Sequence, residues 1–268
     1  MGRFTFCSFN MLNANQYLDK VLDFLCTLHD RNWNIITCLQ EVPKWFLLSL
    51  EEISECCATH GIEVTHATKE CVSDYLVILS RHPIIGHKRI ALPELAPPKL
   101  RARCFTACTG IGDQRGKDTN RGFTYSDLDI DGVLLRVFNA HLPLATPAER
   151  MRDLHLIAEH SVPNRKSIIC GDFNTLGNPA LKALNFALGG PFITATPWYS
   201  ERAEIERYCA QHRLSDPLAG KITFRKGPLR DGPLDHILVP NDLNVVCARV
   251  SKDRRGSDHY PVSVMVEL

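Results

Sequence analysis

The chain has 268 residues, of which 44% are hydrophobic and 23% are charged, and its 31 Lys and Arg residues nearly balance its 30 Asp and Glu residues. This composition is typical of a globular protein and excludes intrinsic disorder, which requires lower hydrophobicity and higher net charge. The sequence has no uninterrupted apolar run of about 18 residues, so we expect no transmembrane helix.

Predicted strands and helices alternate along the chain. The alternating or continuously apolar segments that predict strands are 4–9, 35–39, 75–79, 133–138, 167–170, 236–239 and 262–266. The segments with helical periodicity are 16–29, 42–57 and 147–160. Thr146 is the expected N-cap of the last of these helices, because the following Pro147 suits a first helical turn. No linker divides the chain, so we interpret 1–268 as a single α/β domain.

The amino-terminal segment lacks the long apolar stretch and cleavage site of a secretory signal peptide. The 11 cysteines are odd in number and include no C-x-x-C, which argues against a disulfide framework. We therefore interpret them as buried, reduced thiols of a cytoplasmic or nuclear protein, with a zinc site or a catalytic thiol as alternatives. Cys104 and Cys108 are expected on one face of a core strand.

Polar residues follow or precede the predicted strands at positions where a core does not require them. The set comprises Asn10, Gln40, Glu41, Asn139, His141, Asp172, Asn174, Asp235, Asp258 and His259. Strand-end loops of α/β folds are where functional groups converge, so we expect these side chains at one rim. Strand alternation predicts that Asp172 and Asn174 project to the same side, as do Asn139 and His141.

The chemistry of this set suits a hard divalent cation and a phosphate ester. Mg²⁺ prefers oxygen ligands, often one or two carboxylates together with waters and substrate phosphate. An Asp or His can align and deprotonate the attacking water, while amide N–H groups and a protonated His stabilise the added negative charge.

Five short motifs resemble, in order, those of the endonuclease/exonuclease/phosphatase superfamily. They are SFN at 8–10, LQEV at 39–42, GDFNT at 171–175, LDHI at 234–237 and SDHYP at 257–261. This resemblance spans almost the whole chain. It implies a DNase I-like fold, a four-layer αββα sandwich of two packed mixed β-sheets. It also implies a metal-dependent phosphoesterase site at one edge of the sandwich.

The resemblance further implies a metal site. Glu41 resembles the principal Mg²⁺ ligand, with Mn²⁺ as the alternative ion, and Asn10 and Asp258 resemble assisting ligands. Some nuclease relatives carry a carboxylate two residues after the first Asn, where this chain has Leu12. The contribution of that carboxylate to metal binding is therefore lost, which argues against close kinship with the abasic-site endonucleases.

The catalytic roles that the resemblance implies fall on five residues. Asp172 resembles the group that orients or deprotonates the nucleophilic water, and Asn174 resembles the amide that holds water and phosphate. His259 resembles the imidazole that binds the scissile phosphate, and Asp235 resembles the carboxylate that orients this imidazole. His141 occupies a position near the phosphoryl oxygens.

Purely structural explanations exist for individual residues of this set. Glu41 precedes a predicted helix and could complement its dipole. Asp172 could form an Asx-turn. Asn10 could be a turn or cap residue, His141 a satisfied strand-end imidazole, and Asp235 a structural residue before an apolar strand. His236 must face away from Asp235 in a strand, so we place it outside the site.

The substrate is predicted from basic segments around these motifs. They contain Arg101, Arg103, Arg115, Lys117, Arg121, Lys221, Arg225, Lys226, Arg230, Lys252, Arg254 and Arg255. Basic residues around one rim would form a track for a phosphodiester backbone, with Arg254 and Arg255 as the substrate-binding pair, so nucleic acid is the first substrate class. A phospholipid phosphodiesterase or phosphatase, with 92–98 facing a membrane lipid, is the alternative. A non-catalytic scaffold is the third interpretation, and no obligate protein partner is expected.

Overall fold

Strands and helices alternate through most of the chain, as the sequence predicts. The computed structural model describes residues 2–12, 15–43, 50–68, 74–110, 121–226 and 231–268. The elements of its first half are β1 (Arg3–Asn10), α1 (Leu18–Arg31), β2 (Ile35–Pro43), α2 (Leu50–Thr59), β3 (Glu63–Thr68), β4 (Asp74–Ser80), β5 (Ile84–Ala91), α3 (Leu100–Thr109) and β6 (Gly122–Ile130). Those of its second half are β7 (Val133–His141), α4 (Pro147–Ala158), β8 (Lys166–Asp172), α5 (Pro179–Ala187), a 3₁₀ helix (Phe192–Ala195), α6 (Glu201–His212), β9 (Leu214–Ser215), β10 (Phe224–Arg225), β11 (Asp231–Gly232), β12 (Asp235–Pro240), β13 (Asn244–Val250) and β14 (Val262–Glu267).

Two six-stranded sheets carry the architecture, with strand orders β13-β14-β1-β2-β4-β3 and β5-β6-β7-β8-β12-β9. Each sheet is mixed because each contains one βαβ crossover. Helix α1 joins the parallel neighbours β1 and β2, and α4 joins the parallel neighbours β7 and β8. Parallel strands end at the same edge of their sheet. The first crossover therefore brings the carboxyl ends of β1 and β2 to one edge of the first sheet. The second brings the carboxyl ends of β7 and β8 to one edge of the second sheet.

Three apolar layers hold the sandwich together. Side chains such as Phe6, Ile36 and Val137 fill the space between the two sheets. Helices α1 and α2 pack on the outer face of the first sheet, where Leu25 lies in one cluster with strand residues of that sheet. Helices α4 and α6 cover the outer face of the second sheet, where Leu154 belongs to the corresponding cluster. The predicted four-layer α/β sandwich with two mixed sheets is confirmed.

Two local predictions differ from the structure. Cys104 and Cys108 lie exposed on helix α3 rather than on a core strand. The helix predicted from residue 42 is wrong at its start, since β2 extends to Pro43 and α2 is described from Leu50, with residues 44–49 outside the described part.

The segment 92–98 has neither helix nor strand, and its Leu92 is buried against the second sheet. In the described part of the chain, no helix combines the length and apolarity needed to cross a membrane.

The predicted N-cap of α4 forms a complete capping box. The Thr146 hydroxyl accepts from the backbone N–H of Glu149, and the Glu149 carboxylate accepts from the backbone N–H of Thr146. We expect Thr146→Ala to lower the free energy of unfolding by about 1 kcal/mol, since an N–H at the helix start loses its acceptor. Urea denaturation measures this change. Thr146→Ser keeps the hydroxyl and serves as the control; equal stability of the two variants would contradict the role of the cap.

Candidate active site

The carboxyl ends of the parallel strands bring predicted site residues from both sheets together. Asn10 ends β1, His141 ends β7 and Asp172 ends β8. Strand β12 runs antiparallel to β8, and its first residue, Asp235, pairs with Asp172 in the register. Side chains at alternate strand positions face the space between the sheets, so these polar groups continue the inner apolar face to its edge. The sandwich therefore ends in a polar cluster built from both sheets.

The Asp172 carboxylate lies at the centre of this cluster and is almost fully buried. Its Oδ2 accepts from Asn10 Nδ2 at 2.9 Å and lies 3.5 Å from His141 Nε2 and 3.6 Å from His259 Nε2. Its Oδ1 accepts from the backbone N–H of Asn174 at 2.8 Å. One oxygen thus forms the Asx-turn that the structural explanation predicts, and the other faces the cluster.

The protonation equilibrium of Asp172 is displaced by its surroundings. Burial raises the pKa of this carboxyl above its usual range, and the nearby His259 and His141 rings oppose part of the increase. A carboxylate with a raised pKa is a stronger base than an ordinary aspartate. Asp172 is therefore suited to accept a proton from a water molecule held at this edge.

The His259 imidazole is held as a cation by two carboxylates. Its Nδ1 donates to Asp235 Oδ2 at 2.8 Å, and its Nε2 faces Asp172. Burial opposes protonation, but the charges of Asp235 and Asp172 outweigh it and raise the pKa of His259 to about 10. The Thr223 hydroxyl accepts the backbone N–H of Asp235 at 2.9 Å and fixes the start of β12. His259 is thus a positioned positive charge at neutral pH.

Glu41 reaches the cluster through an irregularity in β2. The register between β2 and β4 shifts between Leu39 and Val42, and Glu41 has a positive φ of 55°. Such bulges turn a side chain out of regular alternation. Glu41 Oε1 consequently accepts from Asn10 Nδ2 at 3.1 Å and lies 3.8 Å from His141 Nε2. Glu41 lies within the strand, so the explanation by a helix dipole is wrong.

A buried amide pair, Gln40 and Asn139, lies behind this bulge. Gln40 Nε2 donates to Asn139 Oδ1 at 2.7 Å, while Asn139 Nδ2 donates to the carbonyls of Leu39 and Val77 at 2.8 and 2.9 Å. These bonds cross between the sheets and satisfy strand carbonyls beside the bulge. The signal in the sequence is an amide at a position that strand alternation places on the inward-facing side of β2 and of β7.

Asn174 does not continue the alternation of β8. The strand ends at Asp172, and Asn174 adopts a positive φ of 52°. Its Nδ2 donates to the Leu142 carbonyl at 2.8 Å. The prediction that Asn174 follows strand alternation is wrong, because the chain turns immediately after Asp172. Gly171 precedes this turn with a φ of 154°, where a Cβ would overlap the Ala140 carbonyl, so only glycine fits.

His236 faces away from the cluster, as strand alternation predicts. Its Nδ1 contacts Asp216 Oδ2 at 2.8 Å and its Nε2 contacts the Thr175 hydroxyl at 2.9 Å. The ring stacks on Phe173 with centroids 4.8 Å apart. This histidine therefore supports the segment behind Asp172 and Asn174.

Asp258 lies beside three cations at the His259 side of the cluster. Its carboxylate is 3.3 Å from Lys226 Nζ, and its carbonyl accepts from the backbone N–H of Arg225 at 2.9 Å. Arg254 Nη1 donates to the Arg225 carbonyl at 2.8 Å. We call Arg225, Lys226 and Arg254 the basic rim.

Several other predicted basic residues are engaged elsewhere. Arg255 packs over the Phe24 ring, 5.4 Å from its centroid, and contacts Asp253 at 3.4 Å, so it lies outside the basic rim. Arg121 is buried in an ion pair with Asp153, and Arg101 donates to backbone carbonyls. The interpretation of Arg121 as part of a surface track is wrong. Arg115, Lys117 and Arg230 lie outside the described residues.

The Glu41 and Asp172 carboxylates both supply oxygen atoms, the ligand type that Mg²⁺ prefers. Both carboxylates bond the same Asn10 amide nitrogen, and the Glu41 side chain is 23% exposed whereas that of Asp172 is 2% exposed. Asp172, Asp235 and His259 also lie close together, but a protonated imidazole has no lone pair for a metal. The Asn10 Oδ1 atom accepts from the Leu12 N–H at 3.0 Å, so its role as a ligand stays a prediction.

Comparisons with known proteins agree with this architecture. The model of the Endonuclease/Exonuclease/phosphatase family matches residues 7–259. No curated protein matches the chain.

Solved structures give the same fold. An endonuclease/exonuclease/phosphatase from Beutenbergia cavernae has a TM-score of 0.69 at 18% identity, covering 100% of this chain and 72% of that chain. A mannosyl-6-phosphatase from Bacteroides thetaiotaomicron has a TM-score of 0.66 at 16% identity, covering 99% and 100%. TDP2 from D. rerio, in complex with a single-strand DNA product, has a TM-score of 0.64 at 12% identity, covering 100% of both chains.

Proposed function

The chain belongs to the endonuclease/exonuclease/phosphatase family, and from this premise we propose that it is a Mg²⁺-dependent phosphoester hydrolase. The observation that carries the proposal is the buried Asp172 carboxylate, which lies between the Asn10 amide, His141 and the protonated His259. A base, a cation and an amide around one point form the set that in-line attack of water on phosphorus requires.

The proton of the attacking water passes to Asp172. Asn10 and the backbone N–H of Asn174 each donate to one oxygen of this carboxylate and hold its orientation. Burial raises the pKa of Asp172, which increases its strength as a base. General-base catalysis of this kind contributes roughly 10²- to 10⁴-fold to a rate.

The negative charge that develops on the phosphoryl oxygens is stabilised by His259 and His141. His259 Nε2–H carries a full positive charge at the centre of the cluster, since Asp235 holds its Nδ1–H. His141 Nε2 lies 3.8 Å from Glu41 Oε1 and 3.5 Å from Asp172 Oδ2. Donors fixed before the reaction cost no reorganisation when the charge appears.

Enzymes of this family generally use divalent metal ions. We propose that Glu41, with Asn10 and Asp258 as the further predicted ligands, would hold Mg²⁺ or Mn²⁺ at the exposed side of the cluster. A bound divalent cation acts as a Lewis acid that polarises a phosphoryl oxygen. The carboxylate oxygens of Glu41 are the hard donors that this ion prefers.

Nucleic acid is the substrate class that we propose first. The basic rim of Arg225, Lys226 and Arg254 lies directly beside Asp258 and His259. Such a rim can contact the phosphates that flank a scissile diester. The structurally similar TDP2 carries a single-strand DNA product, which supports this choice. A phosphomonoester is the second candidate, since another protein of the same fold is a mannosyl-6-phosphatase.

A substrate panel tests the proposed activity and separates its substrate classes. The panel contains bis-p-nitrophenyl phosphate, single-stranded DNA and RNA oligomers, mannose 6-phosphate and sphingomyelin vesicles, each with Mg²⁺ and with EDTA. We expect EDTA-sensitive cleavage, fastest for an oligonucleotide. Preference for mannose 6-phosphate or sphingomyelin would replace the substrate assignment. No turnover on any substrate by a folded protein would favour the scaffold interpretation.

Removal of the Glu41 carboxylate tests the metal site directly. We expect Glu41→Gln to raise the Mg²⁺ concentration for half-maximal activity by at least about tenfold, because even groups that only orient metal ligands have effects of this size. A Mg²⁺ titration of the hydrolysis rate measures it. Glu51→Gln, on the exposed first turn of α2, is the matched control. An unchanged Mg²⁺ requirement in Glu41→Gln would remove Glu41 from the metal site.

A further inference from the structure

A second cluster of metal-binding side chain types lies on the outer face of the first sheet, where α1 meets α2. Cys26 lies on α1 and Cys56 on α2, with their Sγ atoms 2.7 Å apart. One ring nitrogen of His60, one helical turn after Cys56, lies within 4.8 Å of both sulfur atoms. The two thiols are therefore in direct contact. The three side chains are half-buried, so solvent can reach them.

The surroundings of His60 have the form of a metal-ligand support. His60 Nδ1 contacts Asp30 Oδ1 at 3.1 Å, and the same oxygen accepts from Arg81 Nη2 at 2.8 Å. A histidine that binds a metal commonly donates its other ring N–H to a carboxylate, which fixes its tautomer and orientation. With Nδ1–H donated to Asp30, the nitrogen of His60 that is available to a metal is Nε2.

We propose that Cys26, Cys56 and His60 bind a zinc ion that clamps α1 to α2. Two thiolates and an imidazole are ligands that zinc accepts, whereas Mg²⁺ and Ca²⁺ require oxygen. Two zinc-bound sulfurs lie farther apart than 2.7 Å, since each Zn–S bond measures about 2.3 Å in a tetrahedral site. Rotation of the two cysteine side chains would provide this separation. Three protein ligands leave the fourth position of a tetrahedral site to water.

Binding at this site has a defined proton balance. The two thiols each release one proton to solvent as their sulfurs bond the ion, and His60 binds through the lone pair of Nε2 while Nδ1–H donates to Asp30. No electron is transferred. A Cys26–Cys56 disulfide would instead remove two electrons and two protons and would need an external oxidant, such as a low-molecular-weight disulfide.

The position of the site indicates a structural effect. Asp30 lies at the carboxyl end of α1, which leads into the start of β2 at Ile35, whereas Glu41 lies near the end of that strand. The zinc ligands are thus at the opposite end of β2 from the polar cluster. We expect the ion to stabilise the packing of α1 and α2 on the first sheet and to leave the chemistry of the candidate active site unchanged.

Cobalt titration of the reduced protein tests the proposal. Thiolate-bound Co²⁺ gives a sulfur-to-metal charge-transfer band in the near ultraviolet, and the described residues of the polar cluster include no sulfur ligand that could produce it. We expect this band in the wild type, its loss in Cys26→Ser and Cys56→Ser, and a weaker band in His60→Ala. Cys104→Ser, which removes an exposed thiol on α3, should retain the full band.

Two outcomes would overturn the zinc site. One is the absence of the band in reduced protein, or a band that Cys26→Ser leaves unchanged. The other is a Cys26–Cys56 disulfide that persists in zinc-loaded protein, detected as two alkylation-resistant cysteines by mass spectrometry. Circular dichroism confirms that each variant is folded. A zinc-dependent rise in melting temperature that is present in the wild type and absent in Cys26→Ser would support the clamp.

Discussion

Asp172→Asn is expected to lower kcat by roughly 10²- to 10⁴-fold, the range that general-base catalysis supplies. The amide keeps the size of the side chain and its acceptor for the Asn174 N–H, so the turn after β8 is preserved. It removes the basic oxygen that faces Asn10 and His259. Steady-state hydrolysis of bis-p-nitrophenyl phosphate at saturating Mg²⁺ measures the loss.

Asp216→Asn provides a matched control for this substitution. Asp216 contacts a buried histidine at 2.8 Å, as catalytic aspartates do, but that histidine is His236, which faces away from the polar cluster. Because Asp216 acts only through His236 and the segment behind Asp172, we expect Asp216→Asn to lower kcat far less than Asp172→Asn. Full activity in Asp172→Asn, or equal losses in both variants, would show that Asp172 is not the base.

His259→Ala is expected to lower kcat by roughly 10²- to 10³-fold, as removal of one preorganised donor to a transition-state anion does. The substitution deletes the cation that lies 3.6 Å from Asp172 Oδ2 and leaves Asp235 without its partner. The same assay measures this loss. A variant that keeps its fold and its rate would contradict the assignment of His259.

Asp235→Asn tests whether the reaction depends on the positive charge of His259. Asp235 and Asp172 together raise the pKa of His259 to about 10, so the wild type should remain active until the pH approaches that value. With the Asp235 charge removed, the pKa of His259 falls and the basic limb of the pH–rate profile moves to lower pH. Asp216→Asn should leave this limb in place. An unmoved limb in Asp235→Asn would assign it to another group.

The raised pKa of His259 also predicts how the stability of the metal-free protein depends on pH. The pKa of folded His259, about 10, lies above the value of about 6.5 for an unfolded histidine. The folded state therefore binds this proton more tightly, and the stabilisation is complete below the unfolded value. It decreases as the pH rises between the two values and is lost above about 10. Urea denaturation across this range, with Asp235→Asn for comparison, measures the slope.

Much of the fold follows from local pattern. The alternating segments and the helical periodicities correspond to β1, β7, β14, α1 and α4 because burial of one face imposes a fixed spacing on apolar residues. The capping of α4 is equally local, since Thr146 and Glu149 are one helical turn apart. The polar residues at strand ends identify the edge of the sandwich, because parallel strands joined by a helix must end together.

The directions of some side chains do not follow from local pattern. Glu41 points to the cluster because the pairing of β2 with β4 contains a bulge, which depends on residues distant in sequence. Asn174 departs from alternation because the chain turns at Gly171 and Asp172. The location of a charged side chain does not always follow from local pattern either. The sequence suggests that Arg121 is a surface cation, but in the structure it is buried in an ion pair with Asp153.

Residue identity along the chain thus specifies which groups are present and which sheet edge they occupy, because strand and helix periods are properties of neighbouring residues. Contacts across the sandwich specify what each group does there. Asn10 meets Asp172, and Cys26 meets Cys56, only after separate elements pack together. The protonation state of His259 also depends on contacts across the sandwich, because Asp235, Asp172 and the burial that all three residues share determine its pKa.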